Sequence, residues 1–228
     1  RLMNGLSRLW LTLRSPENWQ RWRERPYYHT ALLGAVALLT GALISGADFL
    51  TGSAIDQRRL EDLQVTLEQV IPAALHDNVL TEDTITVRDG NREVTVYQAR
   101  REGKVQAVCY QVTANGYGST TMFIIMGVDR DGKVLGVRVT SHAETPGLGD
   151  KIERKRSDWI LSFDGRSLGD PPPDRWGVKK DGGIFDQFTG ATITPRAVVK
   201  SIKGGLEFFA ANRAQLLGES PTTTQAAY

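Results

Sequence analysis

Three hydroxyl side chains stand just before a predicted helix in the stretch FDQFTGATITPRAVV, those of Thr189, Thr192 and Thr194. A helix start uses one capping hydroxyl, which we assign to Thr194, because Pro195 suits the first helical turn. Thr192 then precedes the helix, where backbone N–H groups and the helix dipole favour an anion such as a phosphate. Gly190 and Ala191 leave room beside it for a large group. The spacing indicates an anion site with a hydroxyl within reach, although an ordinary capped helix gives the same pattern.

A second candidate segment is the loop SHAETPGLGDKI, residues 141–152, which follows a predicted strand. His142 and Glu144 are the residue types of a catalytic pair or of metal ligands, but one histidine and one carboxylate are too few for a closed metal site. Gly147 and Leu148 offer low bulk and backbone donors against which a flat ring could stack. A loop with no part in chemistry is the alternative.

An uncharged apolar run separates these segments from the N-terminal region. Residues 30–47 contain no charged side chain, and Asp48 ends the run. At about 1.5 Å per residue, such a helix covers most of the ~30 Å hydrocarbon core of a bilayer. We therefore predict a single transmembrane helix at residues 30–50. A cleavable signal peptide is the alternative, but its apolar core is usually only ~7–15 residues long. The apolar run at residues 30–47 holds no ionisable residue, which argues against ion transport by this helix alone.

Charge is distributed unevenly along the chain. Residues 1–29 hold six arginines and two glutamates, a balance of +4, which leaves −2 for the rest of a chain whose total is +2. Arginines before a span predict a cytoplasmic N-terminus, so the folded domain, residues 51–218, would lie in the periplasm of a bacterium. The aromatic residues of segment 1–29 favour an interfacial helix, with docking to a cytoplasmic partner as the alternative. A folded domain without positive excess argues against nucleic acid as a partner.

Short strand-like runs dominate the middle of the chain. They follow one another between residues 85 and 141, and REGK and DRDGK are typical of hairpin turns, so we predict a largely antiparallel sheet. Helical spacing predicts further helices at residues 60–71, 151–163 and 195–217, and a polar, flexible tail at residues 219–228. The fold class is thus α+β, with one N-terminal transmembrane helix and flanking helices. Cys109 is predicted to be a small buried strand residue.

Two signatures in the right order carry a family resemblance. HAETPGLG, followed by DWILSFDGRSL and DGGIFDQFTGATITPRAVV, resembles the FMN-binding domain of the G subunit of the Rnf electron transport complex. The C subunit of the sodium-pumping NADH:quinone oxidoreductase shares the pattern. In this family Asp-x-x-Ser/Thr-Gly-Ala-Thr marks a flavin that a dedicated transferase attaches through a phosphoester. The resemblance implies that Thr192 carries covalent FMN and that the other motif positions also belong to the cofactor site: Asp186, Thr189, Gly190 and Ala191.

The resemblance also assigns the loop that would form a wall against the isoalloxazine ring, with candidate contacts at Glu144, Thr145, Gly147 and Leu148. His142 either contacts the ring or only holds the loop. The implied function is that of an electron-carrier subunit in a ferredoxin- and NAD-linked ion-translocating complex, with no catalytic side chain and no metal. The implied partners are the other membrane and redox subunits, the flavin transferase and membrane lipid.

Two other functions fit parts of the pattern. One is a membrane-anchored flavin-binding regulator or sensor outside a redox pump. The other is a periplasmic hydrolase that uses His142 and Glu144.

Overall fold

The computed structural model describes residues 27–90 and 92–219. The chain forms two units, Arg1–Arg58 and Arg59–Tyr228, each of which is described by itself. The predicted interfacial helix before residue 27 and the predicted tail after residue 219 lie outside the described residues.

Helix α1 extends from Tyr28 to Val70. Its segment Tyr28–Gly52 is long and apolar enough to cross a membrane, with a mean hydropathy of 1.8 and no buried residue. A helix of spanning length at residues 30–50 is therefore confirmed. The predicted helix at residues 60–71 is not a separate element, because the same helix continues to Val70. It ends before Pro72, which has no N–H to extend the hydrogen-bonding pattern.

A five-stranded sheet forms the centre of the second unit. Its strands are β1 (Thr84–Asp89), β2 (Arg92–Arg101), β3 (Lys104–Asn115), β4 (Thr121–Asp129) and β5 (Val134–Ser141). Each strand pairs with the next in an antiparallel sense, so the sheet order follows the chain order. The turn between β2 and β3 places Glu102 at φ 53° and Gly103 at φ 76°, as a two-residue hairpin requires. The predicted antiparallel sheet is confirmed.

Helix α2 (Ile193–Leu216) packs on one face of this sheet. The contact is close at Gly205, where an added Cβ would lie 2.4 Å from Met126 Sδ, and Gly205 O accepts a hydrogen bond of 2.7 Å from Tyr110 Oη. Gly205 is thus required by packing, although in an isolated helix it would only weaken the element. Cys109 is fully buried on the opposite face with Leu67, and burial raises the pKa of its thiol far above the ordinary range, so the thiol stays protonated and inert.

Short 3₁₀ turns connect β5 to α2. The predicted helix at residues 151–163 is instead two such turns, Gly149–Ile152 and Asp158–Phe163. The connection is held by a cluster of aromatic side chains, namely Trp159, Phe163, Trp176, Phe185 and Phe188. Phe163 stacks on Phe185 with ring centroids 4.5 Å apart. Trp159 Nε1 also donates a 2.8 Å hydrogen bond to Asp186 O. This cluster fixes the backbone that leads into the threonine-rich stretch.

Candidate functional site

A tight turn presents the threonine-rich stretch at the surface. Ala191 N donates a 3.1 Å hydrogen bond to Phe188 O, and Gly190 between them has φ +81°. A turn with positive φ at its third residue favours glycine there, which accounts for the Gly in this motif. The ring of Phe188 packs edge-on against Trp159 at 5.1 Å, so the start of the turn is fixed by the aromatic cluster.

The helix starts earlier than the sequence predicts. Helix α2 begins at Ile193, and its N-cap residue is Thr192, whose hydroxyl makes no capping hydrogen bond within the described residues. The assignment of Thr194 as the cap was wrong, because the Thr194 hydroxyl has a tertiary partner. Thr192 is half-buried, and its hydroxyl stands directly at the helix start. The N–H groups of Ile193 and Thr194 are first-turn donors without intrahelical acceptors, so an anion beside Thr192 is favoured.

That tertiary partner is the buried carboxylate of Glu144. Its Oε2 accepts a 2.5 Å hydrogen bond from Thr194 Oγ1, and its Oε1 accepts one of 3.1 Å from Tyr117 N. Glu144 is 8% exposed and Thr194 is 1% exposed. A Cβ on Gly149 would lie 2.5 Å from Glu144 Oε2, and one on Gly116 would lie 1.9 Å from Oε1. Two glycines therefore make room for a carboxylate that joins three segments of the chain.

The His142 side chain holds the same loop through two hydrogen bonds. Its Nδ1 lies 3.1 Å from Glu144 N, and its Nε2 lies 2.6 Å from Glu153 Oε1. Because a backbone N–H can only donate, Nδ1 is the acceptor, and the Nε2 proton is donated to Glu153. Both ring nitrogens are thus occupied by protein groups, and both carboxylate oxygens of Glu144 face other donors. The two side chains do not form a hydrogen-bonded catalytic pair.

The rest of the loop approaches the threonine-rich turn. Thr145 O accepts hydrogen bonds from Leu148 N at 3.1 Å and from Gly149 N at 3.2 Å, and Gly147 between them has φ +79°. Leu148 is 43% exposed, and its Cδ2 lies 3.5 Å from the position of a Cβ on Gly190. The two stretches that the sequence singles out are therefore neighbours in the fold.

Ion pairs flank the turn. Asp186 Oδ1 lies 2.6 Å from Lys179 Nζ, and Arg196 donates to both oxygens of Asp181 at 2.5 and 2.6 Å. The Arg196 guanidinium holds the pKa of the Asp181 carboxyl below its ordinary value, and the carboxylate raises the pKa of Arg196 in turn. Arg196 is the basic residue in the first turn of α2, and it is already neutralised by this partner.

Two further residues at this site escaped prediction from the sequence. Tyr117 and Ile193 are 69% and 48% exposed, and they belong to the segments that Glu144 joins. The available signals were glycines on both sides of Tyr117 and the position of Ile193 beside Thr192. A concavity of about 800 Å³ between β3 and α2 is lined by other residues, and the residues of the candidate site lie outside it. Within residues 27–90 and 92–219 there is no cluster of potential metal ligands.

Known proteins with similar sequences include the region of the candidate site. The sequence family described as the FMN-binding domain matches residues 116–207. This range begins at Gly116, which lies beside the Glu144 carboxylate, and it includes Thr192. The G subunit of an ion-translocating oxidoreductase complex from Cereibacter sphaeroides is 49% identical over 201 residues, which are 88% of this chain and 91% of the relative. The corresponding protein of Stutzerimonas stutzeri is 49% identical over 191 residues, 83% of each chain.

The chain belongs to the family of G subunits of ion-translocating oxidoreductase complexes. The family member from Vibrio vulnificus is 44% identical over 192 residues, 82% of this chain and 90% of the relative. A crystal structure of the C subunit of the Na⁺-translocating NADH-quinone reductase from Parabacteroides distasonis covers 53% of this chain at 22% identity, with a TM-score of 0.40. The chain covers 63% of that structure's length, which is less than two thirds. In this member of the G-subunit family, Thr192, Glu144 and Tyr117 all fall inside the FMN-binding match.

Proposed function

We propose that this chain is the electron-carrier subunit of a membrane-bound, ferredoxin- and NAD-linked ion-translocating complex, with FMN held on Thr192 by a phosphoester. The observation that carries the attachment is the Thr192 hydroxyl, which stands at the helix start and is not used as a cap. The family of its relatives and the matched FMN-binding domain support the wider function. Bound FMN would supply one- and two-electron chemistry.

Attachment is a phosphoryl transfer to a hydroxyl. With FAD as the donor, Thr192 Oγ1 would form a bond to the phosphorus of the FMN half while the pyrophosphate bond to the AMP half would break. AMP would be the leaving group, and the hydroxyl proton would pass to the flavin transferase. The N–H groups at the start of α2 favour the resulting negative phosphodiester, and none of the residues of the first turn is itself acidic.

The loop at residues 142–149 would hold the ring of the flavin. Leu148 is exposed and lies against Gly190, so its side chain can cover one side of a ring that extends from Thr192. Glu144 and Thr145 fix this loop through hydrogen bonds, and Gly147 supplies its positive φ. We assign His142 to bracing the loop, because both of its ring nitrogens are occupied. Thr189, Gly190 and Ala191 belong to the turn and Asp186 precedes it, and together they form the segment that the flavin transferase would recognise.

The proposed location is the bacterial inner membrane, with a cytoplasmic N-terminus and a periplasmic flavin domain. The apolar helix Tyr28–Gly52 and the positive charge of residues 1–29 support this orientation. A covalent link suits such a location, because a dissociated flavin would be lost from the periplasm. Membrane lipid, the other subunits of the complex and the flavin transferase would be its partners.

Flavin fluorescence on a denaturing gel tests the attachment. The protein is produced in cells that contain the flavin transferase, and we expect a fluorescent band for the native chain and none for Thr192→Ala. Thr86→Ala is the matched control, since it removes an exposed threonine hydroxyl from strand β1, outside the candidate site, and it should keep the fluorescence of the native chain. A dark band for the native chain, or a band that persists in Thr192→Ala, would contradict the assignment.

Purification in mild detergent tests the complex. A tagged chain extracted from native membranes should bring down other redox subunits. Isolation of the flavinylated chain alone would instead favour the anchored regulator or sensor.

A further inference from the structure

We propose that Thr194 is a positioning residue for flavin attachment, acting through the carboxylate of Glu144. This inference rests on the proposed function, because it concerns how Thr192 is presented to the transferase. Thr194 itself is 1% exposed, so it cannot touch the transferase or the flavin. Its role would be to hold the first turn of α2 in place.

The Thr194 hydroxyl joins that turn to a rigid frame. It donates to Glu144 Oε2 at 2.5 Å, while Glu144 Oε1 accepts from Tyr117 N in the connection between β3 and β4. The backbone of Glu144 is held in turn by His142, and His142 is held by Glu153. The first turn of α2, which starts beside Thr192, is therefore tied to the sheet and to the 142–149 loop through one carboxylate.

The link depends strongly on the Thr194 hydroxyl, because the Glu144 carboxylate has few other partners. In the part of the chain that the structure describes, no lysine, arginine or histidine forms an ion pair with Glu144, so its two hydrogen bonds are its stabilising contacts. Loss of the Thr194 hydroxyl would leave one buried oxygen without a donor, which is costly. The carboxylate would then have to move. It would either displace the nearby helix start or accept hydrogen bonds from the same N–H groups that would bind the flavin phosphate.

The test measures the rate of flavinylation of the purified full-length chain in detergent, with purified flavin transferase and FAD. Thr194→Val replaces the hydroxyl with a methyl group of similar size, and we expect kcat/KM for flavinylation to fall about tenfold. Thr194→Ser restores the hydroxyl and should restore the rate to within about twofold of the native value. If Thr194→Val does not fold, Gly149→Ala disturbs the same link, because its Cβ would lie only 2.5 Å from Glu144 Oε2 and 3.0 Å from Thr194 Oγ1.

A matched control separates positioning from simple loss of stability. Val198→Ala removes core volume from the same helix, because Val198 is fully buried, and it lowers Tm without touching the Glu144 link. Below its Tm, this variant should be flavinylated at the native rate. The inference is overturned if Thr194→Val or Gly149→Ala is flavinylated as fast as Val198→Ala, or if Thr194→Ser is as slow as Thr194→Val. A native chain that takes up no flavin would overturn the proposed function instead, so the two failures are distinguishable.

Discussion

The two ends of helix α2 are held by different chemistry. At its N-terminus, Thr194 is buried against the Glu144 carboxylate and Arg196 pairs with Asp181. Its later turns pack apolar side chains on the sheet, among them Phe209, which is 3% exposed. Apolar packing contributes most of the stability of a helix in a folded domain, whereas hydrogen bonds fix direction and distance. The comparison indicates that the later turns keep the helix on the sheet and the first turn keeps Thr192 in place.

Truncation of Phe209 should give the largest loss of stability. Phe209→Ala leaves a cavity in the core, which costs about 3–5 kcal/mol. Chemical denaturation of the second unit, residues 59–228, would measure the change if that unit folds alone, and thermal unfolding of the full chain in detergent would measure it otherwise. At a temperature where the variant stays folded, flavinylation at Thr192 should proceed as in the native chain. Loss of flavin from the folded variant would show that the two ends are not independent.

Gly116→Ala should have the opposite pattern to Phe209→Ala, because it should slow flavinylation more than it lowers stability. Its Cβ would lie 1.9 Å from Glu144 Oε1, so the carboxylate must leave its place between Tyr117 and Thr194. We expect a smaller stability loss, about 1–3 kcal/mol, together with slow flavinylation. Gly118→Ala, a neighbouring position with open space for a Cβ, controls for glycine replacement in this connection, although its φ of +69° adds backbone strain. Equal flavinylation rates in the two variants would contradict the special position of Glu144.

The C-terminal end of α2 also contains a buried polar contact, which allows a polar contact at each end of the helix to be tested. Gln98 Nε2 donates a 2.7 Å hydrogen bond to Leu216 O, one of the last carbonyls of α2. Gln98→Leu leaves this carbonyl without its donor and should cost about 1–3 kcal/mol. Because the contact lies at the far end of the helix, the flavinylation rate should stay at its native value. A reduced rate with little loss of Tm would mean that polar contacts at either end serve the site.

The same contrast explains what could be predicted from the sequence. The antiparallel sheet was predictable because hairpins are local: the turn at Glu102 and Gly103 depends on backbone angles that neighbouring residues set. The Glu144 link was not, because its partners lie 27 and 50 residues away in the chain. That link also caused the wrong cap, since a threonine before a proline looks like an N-cap unless its hydroxyl is already bound. Aromatic packing, through Trp159 and Phe163, likewise overrode the helical spacing of residues 151–163.

The smallest effect is expected for the exposed pair of Arg196 and Asp181. Because Arg196 lowers the pKa of Asp181 in the folded state, the pair stabilises the fold above the ordinary aspartate pKa of about 3.9. This contribution is lost as the pH falls through the lowered pKa of the folded state. Asp181→Asn should therefore lower Tm slightly at pH 7, and the difference from the native chain should vanish once the pH is below the lowered pKa of the folded state. Both side chains are more than 40% exposed, so salt should also reduce the difference.

The flavinylation rate of Asp181→Asn tests whether the exposed ion pair also positions the first turn of α2. If the Glu144 link alone positions the first turn, Asp181→Asn should be flavinylated at the native rate at pH 7, although Arg196 lies in the same turn as Thr194. A rate that falls as far as in Thr194→Val would assign the positioning to the ion pair as well. High salt separates the two contributions, because it screens the exposed pair far more than the buried carboxylate.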